Sequence, residues 1–269
     1  MHRMVCEDGG TLKEHVLVLG GDARSRWAAR GFEELGYPVQ DCPEDLPESI
    51  QADLALLPLP LVTGDFVTGT VLPMDAVLAA LPASCRLYAG RVPRAYQARI
   101  TDLSLREDFA LRNAVPTAEG ALSLLLDALP GTLNGARILV IGFGRIGKAL
   151  SARLQALGVQ VCITARRSED LDAIQALGME ADRTGRYQLG LCYDAVVNTV
   201  PARVFSEEQI ARTPQDCFLL DLASLPGGID FAACRAMERR CCHALALPGK
   251  VAPKTAGLIL RDLILEDRT

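Results

Sequence analysis

Arg137-Ile138-Leu139-Val140-Ile141-Gly142-Phe143-Gly144-Arg145-Ile146-Gly147 is the stretch that decides the fold. Its apolar run, Ile138–Ile141, reads as a buried strand. The run breaks into GFGRIG, and the helix-favouring KALSARLQAL follows at once. The order is therefore strand, tight turn, helix. Gly142 allows the turn, Gly144 lets the backbone approach a pyrophosphate, and Gly147 lets the helix pack closely on the strand. The helix N-terminus presents unpaired N–H groups to the phosphates. In this context the glycine spacing predicts dinucleotide binding, with Gly142, Gly144, Arg145, Ile146 and Gly147 as cofactor-binding candidates.

The next strand predicts which dinucleotide. VQVCITARR (Val159–Arg167) ends about twenty residues beyond the glycines, where an acidic residue would hold the ribose 2′-hydroxyl of NAD. That place reads Thr164-Ala165-Arg166-Arg167-Ser168, without a carboxylate. Arg166, Arg167 and Ser168 offer donors for a 2′-phosphate and nothing there repels it. The expectation is NADP (NADPH).

Composition bounds the rest. The 269 residues allow two α/β domains, and the apolar (49%) and charged (23%) fractions suit a soluble globular protein. A net charge of −5 gives no reason to expect nucleic acid or an anionic membrane. Met1–Thr11 is polar, unlike a signal peptide, and no apolar run reaches the length of a membrane span, so a cytoplasmic protein is expected. The nine cysteines include no CxxC pair, which speaks against zinc or a dithiol site and for reduced thiols. No metal-ligand spacing is legible.

Before the fingerprint, HVLVLGG (His15–Gly21), a helix to about Leu35, PVQDC, ADLALL (Ala52–Leu57), a helix over Pro73–Leu81 and CRLYAG (Cys85–Gly90) alternate as strand and helix. This pattern predicts a parallel sheet. Gly20-Gly21-Asp22 is not a phosphate turn, because an acidic residue there would repel a phosphate. Arg99–Arg112 is mixed and polar; Pro116 suits the first turn of a helix that runs on to Pro130. After the fingerprint come strands Gln160–Arg166, Ala195–Pro201, Cys217–Ser224 and His243–Leu247, with helices between. The fold class expected is α/β, two Rossmann-like doubly wound parallel-sheet domains with an interdomain cleft. The boundaries are 1–112 for a substrate-side domain, 113–134 for a connecting helix and 135–250 for the NADP-binding domain. The helix of 251–269 is expected to pack back on the first domain.

Ligands bind at the carboxyl ends of strands in such sheets. Asn198, Thr199, Val200 and Pro201 are placed beside the nicotinamide half of the cofactor. Arg24, at the end of the first strand, is the cation best placed for an anionic substrate. Lys254 and Thr255 open the last helix, where a Lys is unfavourable unless an anion neutralises it; with Thr117 and Ser224 as further donors for such an anion, these four join Arg24 as substrate-binding candidates. Acid–base candidates are few: Glu119 and Lys254. His2, His15 and His243 are read as lying in a tail or at strand starts, so none is assigned a role. Hydride transfer rests chiefly on positioning the cofactor.

Together these blocks resemble the A-subunit family of dipicolinate synthase. The matching stretches are Gly20–Arg24, Asn113–Gly120 (NAVPTAEG), Gly142–Gly147, Ala165–Arg167, Asn198–Pro201, Asp221–Gly228 (DLASLPGG) and Leu247–Gly257 (LPGKVAPKTAG). They extend over nearly the whole chain, which departs from the family in lean loops between Asp41 and Asp53 and around Thr63–Thr70. The resemblance implies oxidation of a dihydrodipicolinate-level intermediate of the lysine pathway to pyridine-2,6-dicarboxylate during sporulation. Hydride would pass to NADP⁺, in the mother-cell cytoplasm, alongside the flavoprotein-like B-subunit of dipicolinate synthase; a homo-oligomer is also compatible. Two alternatives stay open. One is another two-domain NADP-dependent oxidoreductase of the shikimate-dehydrogenase type, although the first domain has no Lys beyond Lys13 for a catalytic Lys–Asp pair. The other is a non-catalytic NADP-binding subunit.

Overall fold

The computed structural model describes residues 13–188 and 192–267. His2, Cys6 and the polar stretch Met1–Thr11 lie outside them. The chain divides into two compact units, one formed by the chain up to Phe109 and again from Pro253, the other by Ala110–Ala252.

In the first unit, apolar runs make the central strands β1 (Val16–Leu19) and β3 (Leu54–Leu56), buried along their length. Flanking them are β2 (Val39–Cys42) and, further along, β6 (Arg86–Ala89) and β7 (Ile100–Asp102), in the parallel order β2-β1-β3-β6-β7. A short antiparallel pair, β4 (Val62–Thr63) and β5 (Phe66–Val67), stands apart from this sheet. Helix α1 (Ala23–Glu34) starts at Asp22, whose carboxylate accepts from the Arg24 N–H, and α2 (Met74–Ala80) follows the antiparallel pair.

The long α3 (Glu107–Ala128) corrects the expectation from sequence, in which this helix begins at Pro116 and 113–134 is a connector. Glu107 and Asp108 occupy its first turn, where carboxylates complement the helix dipole. Pro116 lies inside the helix and removes one i→i−4 bond. Burial of Ala118, Ala121 and Leu125 in the core of the second unit holds the helix despite that loss.

Among the described residues the second unit has six parallel strands: β8 (Arg137–Ile141), β9 (Gln160–Ala165), β10 (Glu180–Arg183), β11 (Ala195–Asn198), β12 (Phe218–Asp221) and β13 (Cys241–His243). Their order is β10-β9-β8-β11-β12-β13, the doubly wound arrangement that reverses direction at β8. Helices α4 (Arg145–Ala156), α5 (Ser168–Ala176), α6 (Glu207–Ala211) and α7 (Phe231–Ala236) form the crossovers. A short α8 (Leu247–Val251) and the final α9 (Pro253–Glu266) close the chain.

Two polar strands are not legible in the sequence. β7 and β10 are edge strands, so ITD and EADR lack the apolar run that marks a central strand. α9 lies on α1 within the first unit. Gly257 and Gly31 make this possible: a Cβ on Gly257 would overlap the Arg24 carbonyl, and one on Gly31 would lie 2.7 Å from Leu258 Cδ2. Leu260, Leu263 and Ile264 are thereby buried with Ala28, Phe32, Val16 and Val18.

No helix among the described residues is long and apolar enough to cross a membrane. Nor does any group of three metal-ligating side chains occur among them. Cys217 and Cys234 are free and fully buried, and burial pushes both thiols up to about 12.

Candidate functional site

The site is built at the carboxyl end of β8. Ile138–Ile141 are almost wholly buried, which fixes the strand, and Gly142 turns the chain with φ +101°. A Cβ on Gly147 would overlap the Gly142 carbonyl oxygen, so the helix can sit this close only with glycine there. Gly144 differs: a Cβ would meet nothing within 4 Å, and it borders open space. Gly144 is also the N-cap of α4. It supplies no side-chain cap, and the first turn of α4 contains no acidic residue. The positive end of the α4 dipole thus faces the cradle, and its own first turn brings no carboxylate there. These features fit a diphosphate.

A cavity of about 490 Å³ opens from this cradle. Its walls are Gly142–Ile146, then Ala165, Arg166, Arg167 and Asp170 from β9 and α5, Thr184 after β10, and Thr199–Ala202 with Val204 after β11. Thr199 Oγ1 donates to the Ile141 carbonyl at 2.9 Å, binding the ends of β8 and β11 beside the turn. Of the residues predicted to hold the cofactor, Gly147, Ser168 and Asn198 are absent from the walls. Gly147 acts beneath the turn, and Ser168 opens α5.

Asn198 is fully buried, with both ends of its amide engaged. It donates to Asp221 Oδ1 (2.8 Å) and the Val200 carbonyl (3.0 Å), and accepts from the Val200 N–H (3.0 Å). Its effect on the cavity is to shape the loop that lines it.

A carboxylate stands beside the arginines of the strand end. The strand end itself lacks one, but the first turn of α5 brings Asp170 into the cavity wall. Arg167 grips it with two bonds, Nε at 2.8 Å and Nη2 at 2.9 Å. These bonds hold the Asp170 carboxyl below its ordinary range and raise the Arg167 guanidinium. Arg166, exposed in the same wall, is thus the guanidinium that Asp170 does not bind.

Asp221, fully buried at the end of β12, organises the neighbouring loop. Besides Asn198 it accepts from the N–H groups of Ala223 (2.9 Å), Gly228 (2.7 Å) and Ile229 (3.0 Å). Gly227 packs against it with φ +84°; a Cβ there would come within 2.8 Å of Asp221 Oδ2 and 3.0 Å of His243 Cε1. Ser224 stands exposed on this loop.

His243 requires a correction. The sequence pattern puts it at the start of a strand, but it ends β13, in register with Asp221, and so lies at a carboxyl end. The ring stacks on Phe231 (5.2 Å between centroids), and Nε2 lies 2.8 Å from the Ala223 carbonyl. The strand is CCH rather than HALAL because Leu247 begins α8. No local signal separates these alternatives, since both runs are short and apolar.

The other candidates are distributed as follows. Arg24 is buried; Nε and Nη2 bind the Asp22 carboxylate at 2.8–3.1 Å, and Nη2 also donates to the Leu59 carbonyl at 2.7 Å. Its charge is thus balanced inside the first unit. Lys254 and Thr255 are exposed in the first turn of α9, with Lys254 Nζ 5.3 Å from the centre of the Trp27 ring. Thr117 is buried inside α3, its hydroxyl donating to the Asn113 carbonyl at 2.7 Å. Glu119 also falls inside α3 rather than in a first turn. It is exposed and 3.8 Å from Arg153.

Comparison with known proteins agrees with this geometry. The family described as D-isomer specific 2-hydroxyacid dehydrogenase, NAD binding domain, matches residues 121–223. The dipicolinate synthase A-subunit of Bacillus subtilis is 30% identical over 93% of this chain and 94% of its own. The crystal structure of the corresponding dipicolinate synthase A-subunit from Bacillus halodurans superposes with a TM-score of 0.84 at 29% identity, covering 96% of this chain and 98% of that one. The crystal structure of the Bacillus subtilis protein gives 0.82 at 29% identity, covering 95% of each. The cofactor class is accordingly a nicotinamide dinucleotide and the reaction class oxidoreduction. The chain belongs to the A-subunit family of dipicolinate synthase.

Proposed function

We propose that this protein oxidises a dihydrodipicolinate-level intermediate to dipicolinate with NADP⁺, in sporulating cells and with a second, flavoprotein-like subunit. The observation that carries the reading is the 30% identity, over 93% of the chain, with the dipicolinate synthase A-subunit of Bacillus subtilis. When bound, the nicotinamide accepts the hydride. The ring loses that hydride and one proton, becoming pyridine-2,6-dicarboxylate, and aromatisation draws the reaction forward. The α4 N-terminus and Gly144 hold the diphosphate, while Thr199, Val200 and Pro201 support the nicotinamide half. Arg166 takes the 2′-phosphate, joined by Arg167 to the extent that Asp170 releases it.

A dicarboxylate needs donors at both ends. Ser224, on its Asp221-anchored loop, is the candidate in the second unit; in the first unit Lys254 and Thr255 are candidates, whereas Arg24 is engaged by Asp22 and the Leu59 carbonyl. Thr117 is not a candidate, because its hydroxyl proton is engaged inside α3. Glu119 does not serve as a proton acceptor, because it faces Arg153 on an exposed helix side. Lys254 is the remaining acid–base candidate. Asp170 favours one variation of this reading, in which its carboxylate receives the ribose 2′-hydroxyl of NAD.

The test follows NADPH at its absorbance band and the pyridine product together, starting from enzymatically generated dihydrodipicolinate. Equal appearance of both is expected. NADPH without the pyridine would replace the substrate, and a faster reaction with NAD⁺ would replace the cofactor. Activity only when a partner protein is added would assign this chain a cofactor-binding role.

A further inference from the structure

One residue past the glycine fingerprint stands Lys148, the fourth residue of α4. Its backbone N–H donates to the Gly144 carbonyl at 2.9 Å and closes the first turn. Helical side chains lean towards the N-terminus of their helix, so this one runs back over the turn. Its ammonium lies 4.9 Å from the centre of the Phe143 ring. That place is electrostatically unfavourable. It adds a full positive charge to the positive end of the helix dipole, in a turn with no acidic residue. Lys148 is exposed and has no carboxylate partner among the described residues. An aromatic ring holds an exposed cation only weakly.

The anion that this cation lacks has a place beside it. Phe143 belongs to the wall of the cofactor cavity, as do Arg166, Arg167 and Asp170. Lys148 is not itself in the wall, but its charge reaches it: the Arg167 bonds hold the Asp170 carboxyl low, and Lys148 adds to their effect. Asp170 and Arg167 neutralise each other through two bonds. Glu169, the other carboxylate of that turn, is absent from the wall. The Arg166 guanidinium and the Lys148 ammonium therefore remain, two positive charges without a counter-charge. A phosphate monoester carries about −1.5 to −2 near neutral pH and matches them. A ribose hydroxyl carries no charge and leaves both uncompensated.

We propose that Lys148 is a specificity-determining residue of the cofactor site, which leaves the Phe143 ring to bind the 2′-phosphate together with Arg166. This role rests on the reading that the cofactor is NADP, and it names a second cation that fixes the choice. Phe143 keeps the side chain beside the site while no phosphate is bound.

Calorimetric titration of the full chain with NADP⁺ and with NAD⁺ tests this. Lys148→Met keeps an apolar stem on Phe143 and removes the charge. It should weaken NADP⁺ about tenfold and leave NAD⁺ unchanged to about twofold, whereas Lys148→Arg should keep the preference. Without cofactor, Lys148→Met should melt no lower than the wild type, because a repulsion at the helix end is relieved. A lysine with a purely structural role would lower the melting temperature instead, and that result overturns the proposal. So does equal weakening of both cofactors, or no change in either. If the wild type still prefers NADP⁺, these failures leave the cofactor reading standing. A wild type that prefers NAD⁺ overturns both.

Discussion

At the scale of single residues, the cofactor site rests on a few groups whose replacement has a calculable sign. Arg166→Ala should raise the NADP dissociation constant about ten- to a hundredfold while leaving NAD nearly unchanged, since a charge-assisted bond contributes about 1.5–3 kcal/mol. Asp170→Asn should act in the opposite direction, because it frees Arg167 for the phosphate. Fluorescence titration of both cofactors checks the pair; tighter NAD binding by the wild type would assign Asp170 to the ribose instead. Asp221→Ala strips the acceptor from three backbone N–H groups and the Asn198 amide. Each buried donor left unpaired costs about 1–3 kcal/mol, so urea unfolding should show a loss of roughly 3 kcal/mol or more.

At the scale of elements, α1 and α9 depend on each other's backbone. Gly257→Ala places a methyl group against the Arg24 carbonyl and the Ala28 N–H. Neither is a flexible side-chain end, so the helices must separate, and thermal unfolding should fall by several degrees. The start of α1 adds a pH dependence. Burial pushes the Asp22 carboxyl up, but the bonds and charge of Arg24 outweigh it and leave the group below its ordinary 3.8. A depressed carboxylate stabilises the fold fully above its unfolded value and loses that contribution as pH falls through the lower folded value. The stability difference between wild type and Asp22→Asn should therefore be constant from neutral pH down to about 5 and shrink as pH drops below about 4. A difference that grows in acid would show that Asp22 is not held by Arg24.

At the scale of the whole molecule, the glycine turn, the cavity and the six-stranded sheet all belong to the unit of Ala110–Ala252. Ligand that binds only the folded form stabilises what it binds, by about 2.7 kcal/mol at a hundredfold excess over its dissociation constant. Saturating NADP⁺ should therefore protect amides of β8, β9 and β11 from hydrogen exchange far more than those of β1 and β3. Equal protection of both sheets would mean that the two units open together.

Much of this is legible in the amino acids. Ile138–Ile141 had to be a buried strand, and Gly142 and Gly147 had to be glycines, because these demands are local: an apolar run, a positive φ, a carbonyl too close for a Cβ. The alternation of strand and helix carried the two parallel sheets for the same reason. Tertiary structure alone decided the rest. α3 starts nine residues before Pro116 because core burial outweighs one missing bond, which no propensity reveals. Asp170 enters the cavity because a helical turn brings residue 170 back over the strand end. His243 stands at a carboxyl end because β13 pairs with β12 in a register that three short residues cannot specify by themselves. Local geometry is written in the chain, whereas the placement of a polar side chain depends on which distant backbone supplies its neighbours.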